Sequence, residues 1–507
     1  MSLIEKVVNR SSREERPNDK PAVPPTDPPI VPDSLRTPLA GRKEPRPGPG
    51  MNSAFFADLI TTITERGRDL FGLRAPRTPE TAGRADALAD LCETLLGGKG
   101  EASGTAMAQQ VIEAYGTLKV QEQLTFFDAL AESFGPDEAL LDAAVEEWRQ
   151  TGSETAATEI HFASEPKRQE LFRRLNRAPN GTRTLVKMRA DLLRLARDNP
   201  DLRRVDRDLA HLFSSWFNRG FLVLRRIDWS SPANVLEKII RYEAVHEIHG
   251  WDDLRRRIDA PDRRCYAFFH PALADEPLIF VEIALTEEIP GAIAPLLAED
   301  RGVIDASRAR TAVFYSISNC QAGLAGISFG NFLIKQVVEE LQRELPRLET
   351  FVTLSPVPGF CLWMRAADDV PVNDEERAML AALDEWAWMD NPVAAETARR
   401  VLEPLAAHYF LRAKTPDGRA VDPVARFHLG NGARLERINW LGDRSRKGLR
   451  ESAGIMVNYL YDLDEIEENH EAYANQREIV ASTAVRKLLK ADPKPRARGQ
   501  SVPASAS

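Results

Sequence analysis

The stretch that decides the fold begins with the apolar run Thr311-Ala-Val-Phe-Tyr-Ser-Ile-Ser318 and continues through Gly323-Leu-Ala-Gly-Ile-Ser-Phe-Gly-Asn-Phe-Leu-Ile-Lys335. The first run is typical of a strand, and the glycines lead into a helix that reaches Glu344. A second strand-like run, Thr350 to Leu354, follows that helix. A strand-helix-strand unit predicts two parallel strands with a right-handed crossover. The glycine segment and Ser355, which ends the second strand, are therefore expected at the same edge of the sheet.

The glycine segment has three interpretations. Backbone amides at a helix N-terminus favour anions, so the segment is suited to the phosphates of a nucleotide-like ligand. Gly326-Ile-Ser-Phe-Gly330 also spells the G-x-S-x-G of a hydrolase nucleophile elbow, with Ser328 as the nucleophile. An elbow needs its serine directly between strand and helix, and residues 319–326 intervene here. A helix entry that merely packs closely on the sheet is the third interpretation, and composition does not separate it from the first.

Composition divides the 507 residues into four segments. Residues 1–50 hold 11 of the 34 prolines and mixed charges, so we expect a disordered arm. Residues 51–204 have a helical hydrophobic period, which predicts an all-α bundle used for oligomerisation. Residues 205–488 mix strand-like and helix-like runs and predict a large α/β or α+β domain. Residues 489–507 are polar and are expected to form a disordered tail.

Individual elements can be predicted within the two ordered segments. In the bundle, helices are expected over Leu140–Trp148, Arg168–Leu175 and Thr184–Arg197, and Phe55, Leu59 and Ile63 share a helical face. Seven runs of the second segment are rich in β-branched and aromatic residues and are predicted strands. They are Phe221–Leu224, Arg264–Phe269, Pro277–Leu285, Thr311–Ser318, Thr350–Leu354, Arg434–Trp440 and Ile455–Tyr461.

Bulk properties disfavour several classes of protein. The net charge of −9 supplies no general attraction for nucleic acid or anionic membranes. The four cysteines are widely spaced and predict reduced thiols rather than disulfides or a structural metal site. No apolar leader or membrane-spanning run is evident, and the chain does not end in a Ser-Lys-Leu peroxisomal address, so we expect a cytoplasmic protein.

Three polar positions are candidates for chemistry. Ser355 precedes Pro356, which holds it extended, and it is either a serine that bonds its own turn or a reactive group. His428, in Phe427-His-Leu-Gly, is either a core residue or a proton donor or acceptor, because imidazole titrates near neutral pH. His246-Glu-Ile-His249 is one residue short of H-E-x-x-H and predicts two polar positions on an amphipathic helix.

Taken together, five segments closely resemble the malonyl-CoA decarboxylase family, in the order in which that family carries them. The resemblance covers most of residues 205–465, and the helical segment matches by position and type. The segments are Phe314–Ser318, Gly326–Lys335, Leu354–Phe360, Pro423–Ala433 and Arg437–Trp440.

The resemblance implies an α+β chain: a helical assembly domain, then a catalytic domain of the GNAT acetyltransferase fold that binds coenzyme A. It implies that Ser355 is the catalytic proton acceptor and His428 the proton donor. Some family members carry glutamate at the position of Ser328, so no carboxylate role transfers to it. The residues implied to bind acyl-CoA are Ala325, Gly326, Ile327, Ser328, Phe329, Gly330 and Asn331. Those expected to support the site are Ser316, Asn458, Tyr459 and Tyr461.

The implied activity is the decarboxylation of malonyl-CoA to acetyl-CoA and CO2, through an enolate that the Ser/His pair protonates. No metal or separate cofactor is expected, because coenzyme A is part of the substrate. The expected partners are malonyl-CoA and further copies of the chain, as a tetramer, without nucleic acid or membrane. Two other functions stay open at this point: a GNAT-type acyl-CoA-dependent N-acetyltransferase and a non-catalytic acyl-CoA sensor.

Overall fold

The computed structural model describes residues 83–97, 100–327, 329, 333–366, 372–381, 383 and 386–489. The predicted arm, the face formed by Phe55, Leu59 and Ile63, and the tail from residue 490 lie outside the described residues. Within them, helices alone occupy the chain as far as Trp216, and a mixed sheet with further helices follows. The predicted α+β class, with an N-terminal helical region, is therefore confirmed.

The described part of the N-terminal region holds eight helices, and each of the three helices predicted there is found. Asp137 caps the fourth helix through a 3.2 Å bond from the Leu140 amide, and Gly152, at a φ of 58°, ends it. The helices are α1 (Arg84–Leu96), α2 (Glu101–Gly116), α3 (Val120–Ser133), α4 (Glu138–Thr151), α5 (Glu154–Ala163), α6 (Lys167–Asn176), α7 (Gly181–Leu195) and α8 (Arg203–Trp216).

The rest of the described chain combines eight strands with further helices. The strands are β1 (Val223–Ile227), β2 (Arg263–Phe269), β3 (Pro277–Thr286), β4 (Thr311–Asn319), β5 (Thr350–Thr353), β6 (Ser355–Pro356), β7 (Arg434–Asn439) and β8 (Met456–Leu460). The helices are α9 (Ala233–Tyr242), α10 (Trp251–Ile258), α11 (Ala294–Leu297), α12 (Leu333–Glu344), α13 (Phe360–Ala366), α14 (Asp374–Ala381), α15 (Pro392–Leu411), α16 (Pro423–Gly430), α17 (Arg446–Ser452), α18 (Ile466–Gln476) and α19 (Thr483–Leu488).

All eight strands join one sheet, in the order β1-β2-β3-β4-β5-β8-β6, with β7 also paired to β8. Only β4 and β5 run parallel, and α12 crosses between them, as the strand-helix-strand pattern predicts. The predicted strand Phe221–Leu224 is displaced, because Arg219–Phe221 form a 3-10 turn capped by Asn218 and the strand begins at Val223. The two-residue strand β6 was not predicted.

The parallel pair separates toward one edge of the sheet. Pairing between β4 and β5 ends at Phe314 and Thr353, whereas β4 continues to Asn319 along β3. A bulge in the β3–β4 ladder at this level leaves Tyr315 without a counterpart on β3. The last five residues of β4 therefore diverge from β5, and a cleft opens at this edge.

The bundle and the sheet share a hydrophobic core. Apolar side chains of the bundle, such as Phe172 and Leu185, belong to the same contiguous cluster as Phe268, Phe314 and Val337 of the sheet and its crossover helix. The helical region is therefore packed directly onto the layer that carries the glycine segment.

The prediction of an amphipathic helix for His246-Glu-Ile-His249 is wrong. These residues lie in the loop between α9 and α10. The Glu243 carboxylate accepts hydrogen bonds from the amides of Val245 at 2.9 Å and His246 at 2.8 Å, and this turn ends the preceding helix.

Candidate active site

Ser355 is positioned where β5 passes into β6 at the cleft. Its strand pairs with β8 opposite Val457, and Pro356 next to it limits the backbone to an extended conformation. The Asn458 side chain donates a 2.7 Å hydrogen bond to the carbonyl of Thr353, two residues earlier. Ser355 is buried, and β8 supplies both contacts that hold the backbone around its hydroxyl.

His428 is carried by α16, and the ends of this helix explain its placement. Asp422 is the N-cap and accepts a 2.7 Å bond from the Ala425 amide, and Pro423 occupies the first helical position. Just beyond the helix, Gly432 has a φ of 83°, and a Cβ there would lie 2.0 Å from the Ile466 carbonyl. A helix of eight residues thus presents His428 to the cleft and then stops sharply.

The structure brings Ser355 and His428 into contact, within a chain of four polar groups. His428 Nε2 is 3.2 Å from Ser355 Oγ, and His428 Nδ1 is 2.8 Å from Tyr461 Oη. Ser355 Oγ donates at 2.8 Å to Thr353 Oγ1, which also accepts the Tyr459 amide at 3.1 Å. One direction satisfies every bond: Tyr461 donates to His428, His428 Nε2–H to Ser355, and Ser355 to Thr353.

The surroundings keep these four hydrogen-bonded groups uncharged. Burial lowers the pKa of His428 to about 3 and raises that of Tyr461 well above its usual range. The Tyr459 ring stacks on the imidazole with centroids 4.5 Å apart. Among the described contacts of His428 there is no carboxylate, so a hydroxyl orients the imidazole where a Ser-His-Asp triad uses an acid.

Two adjoining cavities open at this edge. The smaller, about 220 Å³, is lined by Ser355, His428 and the diverging part of β4. The larger, about 430 Å³, is lined by the beginning of the glycine segment and by Arg426. Asn319 and Phe427 line both cavities, so the cavities are neighbours, and together they suit a ligand with a reactive end and a long remote part.

Part of the predicted acyl-CoA segment borders the larger cavity. Ala325, Gly326, Ile327 and Phe329 line it, and Gly326 has a φ of 75° that favours glycine. Ser328, Gly330 and Asn331 lie outside the described residues. Strand β4 ends at Asn319 and a 3-10 turn, Ala322–Leu324, follows, so the strand does not run directly into the Gly326 turn as an elbow requires.

The predicted supporting residues separate into two groups. Tyr461 and Tyr459 contact His428 directly, and Asn458 holds the strand that leads to Ser355. Ser316 instead donates to both carboxylate oxygens of Glu243 at 2.8 Å and is not among the described residues that line the two cavities.

Sequence reasoning did not identify Thr353, Asn319 or Arg426. Thr353 had a signal, because residues two apart in a strand share a face and Thr353 is two residues before Ser355. No signal in the sequence indicated Asn319 or Arg426, since only the folded arrangement brings them to the larger cavity. No group of three or more His, Cys, Asp or Glu side chains within the described ranges could hold a metal ion.

Models of two protein domains match the chain. The malonyl-CoA decarboxylase C-terminal domain matches residues 220–499, and the N-terminal domain of the same family matches residues 134–217. The chain belongs to the malonyl-CoA decarboxylase family. The resemblance noted in the sequence is thereby confirmed. The sheet lies within the match to the C-terminal domain, and helices α4 to α8 lie within the match to the N-terminal domain.

Curated members of the family and solved structures are similar to most of the chain. The mitochondrial malonyl-CoA decarboxylase of Mus musculus is 34% identical over 477 residues, covering 84% of this chain and 96% of that protein. The enzyme of Anser anser anser is 37% identical, with 70% and 77% covered. The crystal structure of malonyl-CoA decarboxylase from Rhodopseudomonas palustris is 59% identical, with a TM-score of 0.78 over 80% of this chain and all of that one. That from Agrobacterium vitis is 56% identical, with a TM-score of 0.76 over the same shares.

No helix in the part of the chain that the structure describes is long and apolar enough to cross a membrane.

Proposed function

We propose that this protein converts malonyl-CoA to acetyl-CoA and CO2, with Ser355 and His428 as the reacting pair. The observation that carries the proposal is the contact between His428 Nε2 and Ser355 Oγ in a cavity that adjoins the one bordered by the glycine segment. Relatives named malonyl-CoA decarboxylase, similar over most of their length, support the substrate and the reaction.

We assign the sheet to the GNAT type of acyl-CoA-binding fold on the basis of its diverging parallel strands. The free edge of β4 beyond Phe314 offers backbone groups that an extended pantetheine chain can pair with, as an added strand does. The glycine segment and Arg426 border the far end, where phosphates of coenzyme A are attracted to backbone amides and a guanidinium. The acyl end then lies in the smaller cavity.

The chemistry needs a place for electrons and a source for one proton. When the bond to the carboxylate breaks, its electron pair passes to the α-carbon and into the thioester carbonyl as an enolate, and CO2 leaves. The Ser355 hydroxyl turns from Thr353 and donates its proton to the carboxylate or thioester oxygen. His428 then delivers a proton from Nε2 to the α-carbon, and its ring returns to the neutral form. Binding of the remote phosphates supplies energy that orients the breaking bond across the thioester plane.

The proton balance follows from the buried, neutral state of His428. Because its pKa is about 3, the imidazole is uncharged in the free protein at neutral pH and has no second proton to donate. A malonyl carboxylate entering the same cavity is a negative charge close to the ring, and it favours the protonated form. Substrate binding therefore favours uptake of one proton from solvent by His428. CO2 leaves without charge, so the negative charge passes to the enolate, which takes that proton from Nε2 and leaves both groups neutral.

Purified full-length protein mixed with malonyl-CoA tests this function directly. We expect equal amounts of CO2 and acetyl-CoA without added metal, biotin or nicotinamide. Acetyl transfer from acetyl-CoA to an amine, without gas, would instead favour the N-acetyltransferase. Thermal stabilisation by malonyl-CoA without product would favour the sensor.

We also propose that the bundle mediates self-association, through the hairpin formed by α4 and α5. Only two residues of these helices, Ala144 and Ala156, are buried. They expose large apolar side chains instead, with Leu140 at 63%, Trp148 at 46% and Phe162 at 64%. A second copy of the chain is the proposed partner, because this face belongs to the region predicted to assemble a tetramer.

The double substitution Trp148→Glu and Phe162→Glu is expected to reduce the mass of the particle in light scattering after size exclusion. Charges at an apolar contact cost several kcal/mol when buried, so association should weaken by at least tenfold. Val393→Glu is the matched control, since Val393 is 77% exposed but lies on α15 outside the bundle. An unchanged mass in the double variant would remove the hairpin as the interface.

A cytoplasmic location remains part of the proposal. The curated relatives from goose and mouse are named mitochondrial, whereas the solved relatives come from bacteria. Cell fractionation with antibody against the native chain would decide between these compartments.

A further inference from the structure

The helical bundle forms hydrogen bonds to the turn with which the glycine segment begins. The Arg189 side chain, on α7, is 4% exposed, and its Nη1 donates to the carbonyls of Gly323 at 2.8 Å and Ala325 at 2.9 Å. Its Nε donates to the Asp206 carboxylate of α8 at 2.8 Å. One guanidinium therefore ties two bundle helices to the backbone that precedes Gly326.

The backbone of α7 also touches this turn without an intervening side chain. A Cβ added to Gly323 would lie 1.8 Å from the carbonyl oxygen of Val186, so only glycine permits this approach. Gly323 and Ala325 accept the Arg189 bonds on either side of Leu324, and Ala325 and Gly326 then line the larger cavity. The shape of that wall is thus set by a contact with the bundle.

We propose that Arg189 is a positioning residue for acyl-CoA binding, through which the helical bundle fixes residues 323–327, the beginning of the glycine segment, in a conformation ready for the ligand. The inference rests on the proposed function, because it gives the bundle a part in binding that substrate. If these residues became ordered only on binding, the loss of conformational entropy would lower the affinity for acyl-CoA. Residues that are already ordered avoid that cost. Arg189 lines neither cavity, so it acts through the backbone that it holds. That backbone, at Ala325 and Gly326, borders the larger cavity and not the smaller one, so the effect is on binding rather than on the bond that breaks.

A purely structural role for a buried arginine is the alternative, and the chain contains a matched case. Arg168, on α6, is as buried as Arg189 and pairs with the Asp208 carboxylate. It also donates to two carbonyls, those of Leu130 and Phe134, both at 3.4 Å. All its partners lie within the bundle. Loss of Arg168 should therefore destabilise the bundle much as loss of Arg189 does, without reaching the glycine segment.

The experiment compares Arg189→Met and Arg168→Met in the full chain by steady-state kinetics with malonyl-CoA. We expect Arg189→Met to raise KM about 10–100-fold, with kcat within about threefold of the wild type, from the loss of two charge-assisted bonds to the segment. Arg168→Met should lower Tm by a similar amount and leave KM within about threefold. Arg189→Lys, which keeps the charge beside Asp206 but cannot form the same fork, should give an intermediate KM and serves if the methionine variant fails to fold.

Hydrogen exchange supplies a readout that does not depend on turnover. Amides of residues 320–327 should exchange faster in Arg189→Met and at the wild-type rate in Arg168→Met. If KM is unchanged in both Arg189 variants, or rises equally in Arg168→Met, the inference about Arg189 is overturned and the proposed function still stands. If the wild type binds coenzyme A but releases no CO2, the proposed reaction fails and the Kd for coenzyme A replaces KM in the same comparison. A wild type that binds no coenzyme A overturns both.

Discussion

Replacing His428 with glutamine is expected to lower kcat for malonyl-CoA decarboxylation by about 10²–10⁴, the usual range for loss of a general acid. Glutamine fills a similar space and can still meet Ser355 and Tyr461 through its amide, so the site keeps its shape. It cannot carry a proton to the α-carbon. Rapid-quench measurement of acetyl-CoA formation at saturating substrate reports this loss, and KM should change much less because the glycine segment and Arg426 are untouched.

His270→Gln is the matched control for that substitution. His270 accepts the Ala272 amide at 3.1 Å and packs on Phe217, in the turn before β3, so its loss should leave kcat unchanged. Wild-type turnover in His428→Gln would remove the histidine from the mechanism.

The pH dependence of the free energy of unfolding gives a second measurement on His428→Gln, and it also shows that the variant is folded. Between pH 6.5 and 3, residue 428 binds a proton in the unfolded chain but not in the folded one, since burial lowers its folded pKa to about 3. The wild type therefore loses stability as pH falls through this window. His428→Gln lacks that loss, so denaturation at pH 7 and pH 5 should show it about 2 kcal/mol less sensitive to acid than the wild type.

Local patterns were sufficient for the elements that build the site. Apolar runs predicted β4 and β5, and the helix between them predicted their parallel pairing, because a crossover of this length permits little else. The same patterns could not reveal β6, since two residues carry no period. They also misjudged His246-Glu-Ile-His249, where a side-chain carboxylate, that of Glu243, ends the helix.

The contacts that join distant segments were beyond sequence reasoning from patterns alone. Ser355 and His428 are 73 residues apart, and only the docking of α16 against the end of β5 brings them together. Their pairing was expected from the family resemblance and not from the residues themselves. The contact between Arg189 and the glycine segment spans 134 residues, and a mid-helix arginine in an amphipathic bundle is usually a surface residue. The bundle was therefore predicted to serve assembly only.

Replacing Ser355 with alanine is expected to lower kcat by about 10²–10³, comparable to the loss of one donor from an oxyanion hole. The hydroxyl links the His428 imidazole to Thr353 and faces the smaller cavity, so its removal leaves the substrate oxygen without that donor and the imidazole without its partner. Because the His428–Tyr461 bond does not involve Ser355, the histidine stays in place and can still deliver a proton slowly. Residual activity should consequently exceed that of His428→Gln.

The two substitutions together test whether the residues act as one unit. If Ser355 acts through His428, the double variant should be no slower than His428→Gln alone, whereas independent roles would multiply the two losses. Ser452→Ala is the matched control, because Ser452 is a buried serine with hydrogen bonds to the Gly448 and Ile455 carbonyls and no part in either cavity. It should lose stability and keep its turnover. Normal kcat in Ser355→Ala, with Ser452→Ala equally active, would mean that the hydroxyl only fills space beside the imidazole, and His428 would then be the sole group that moves the proton.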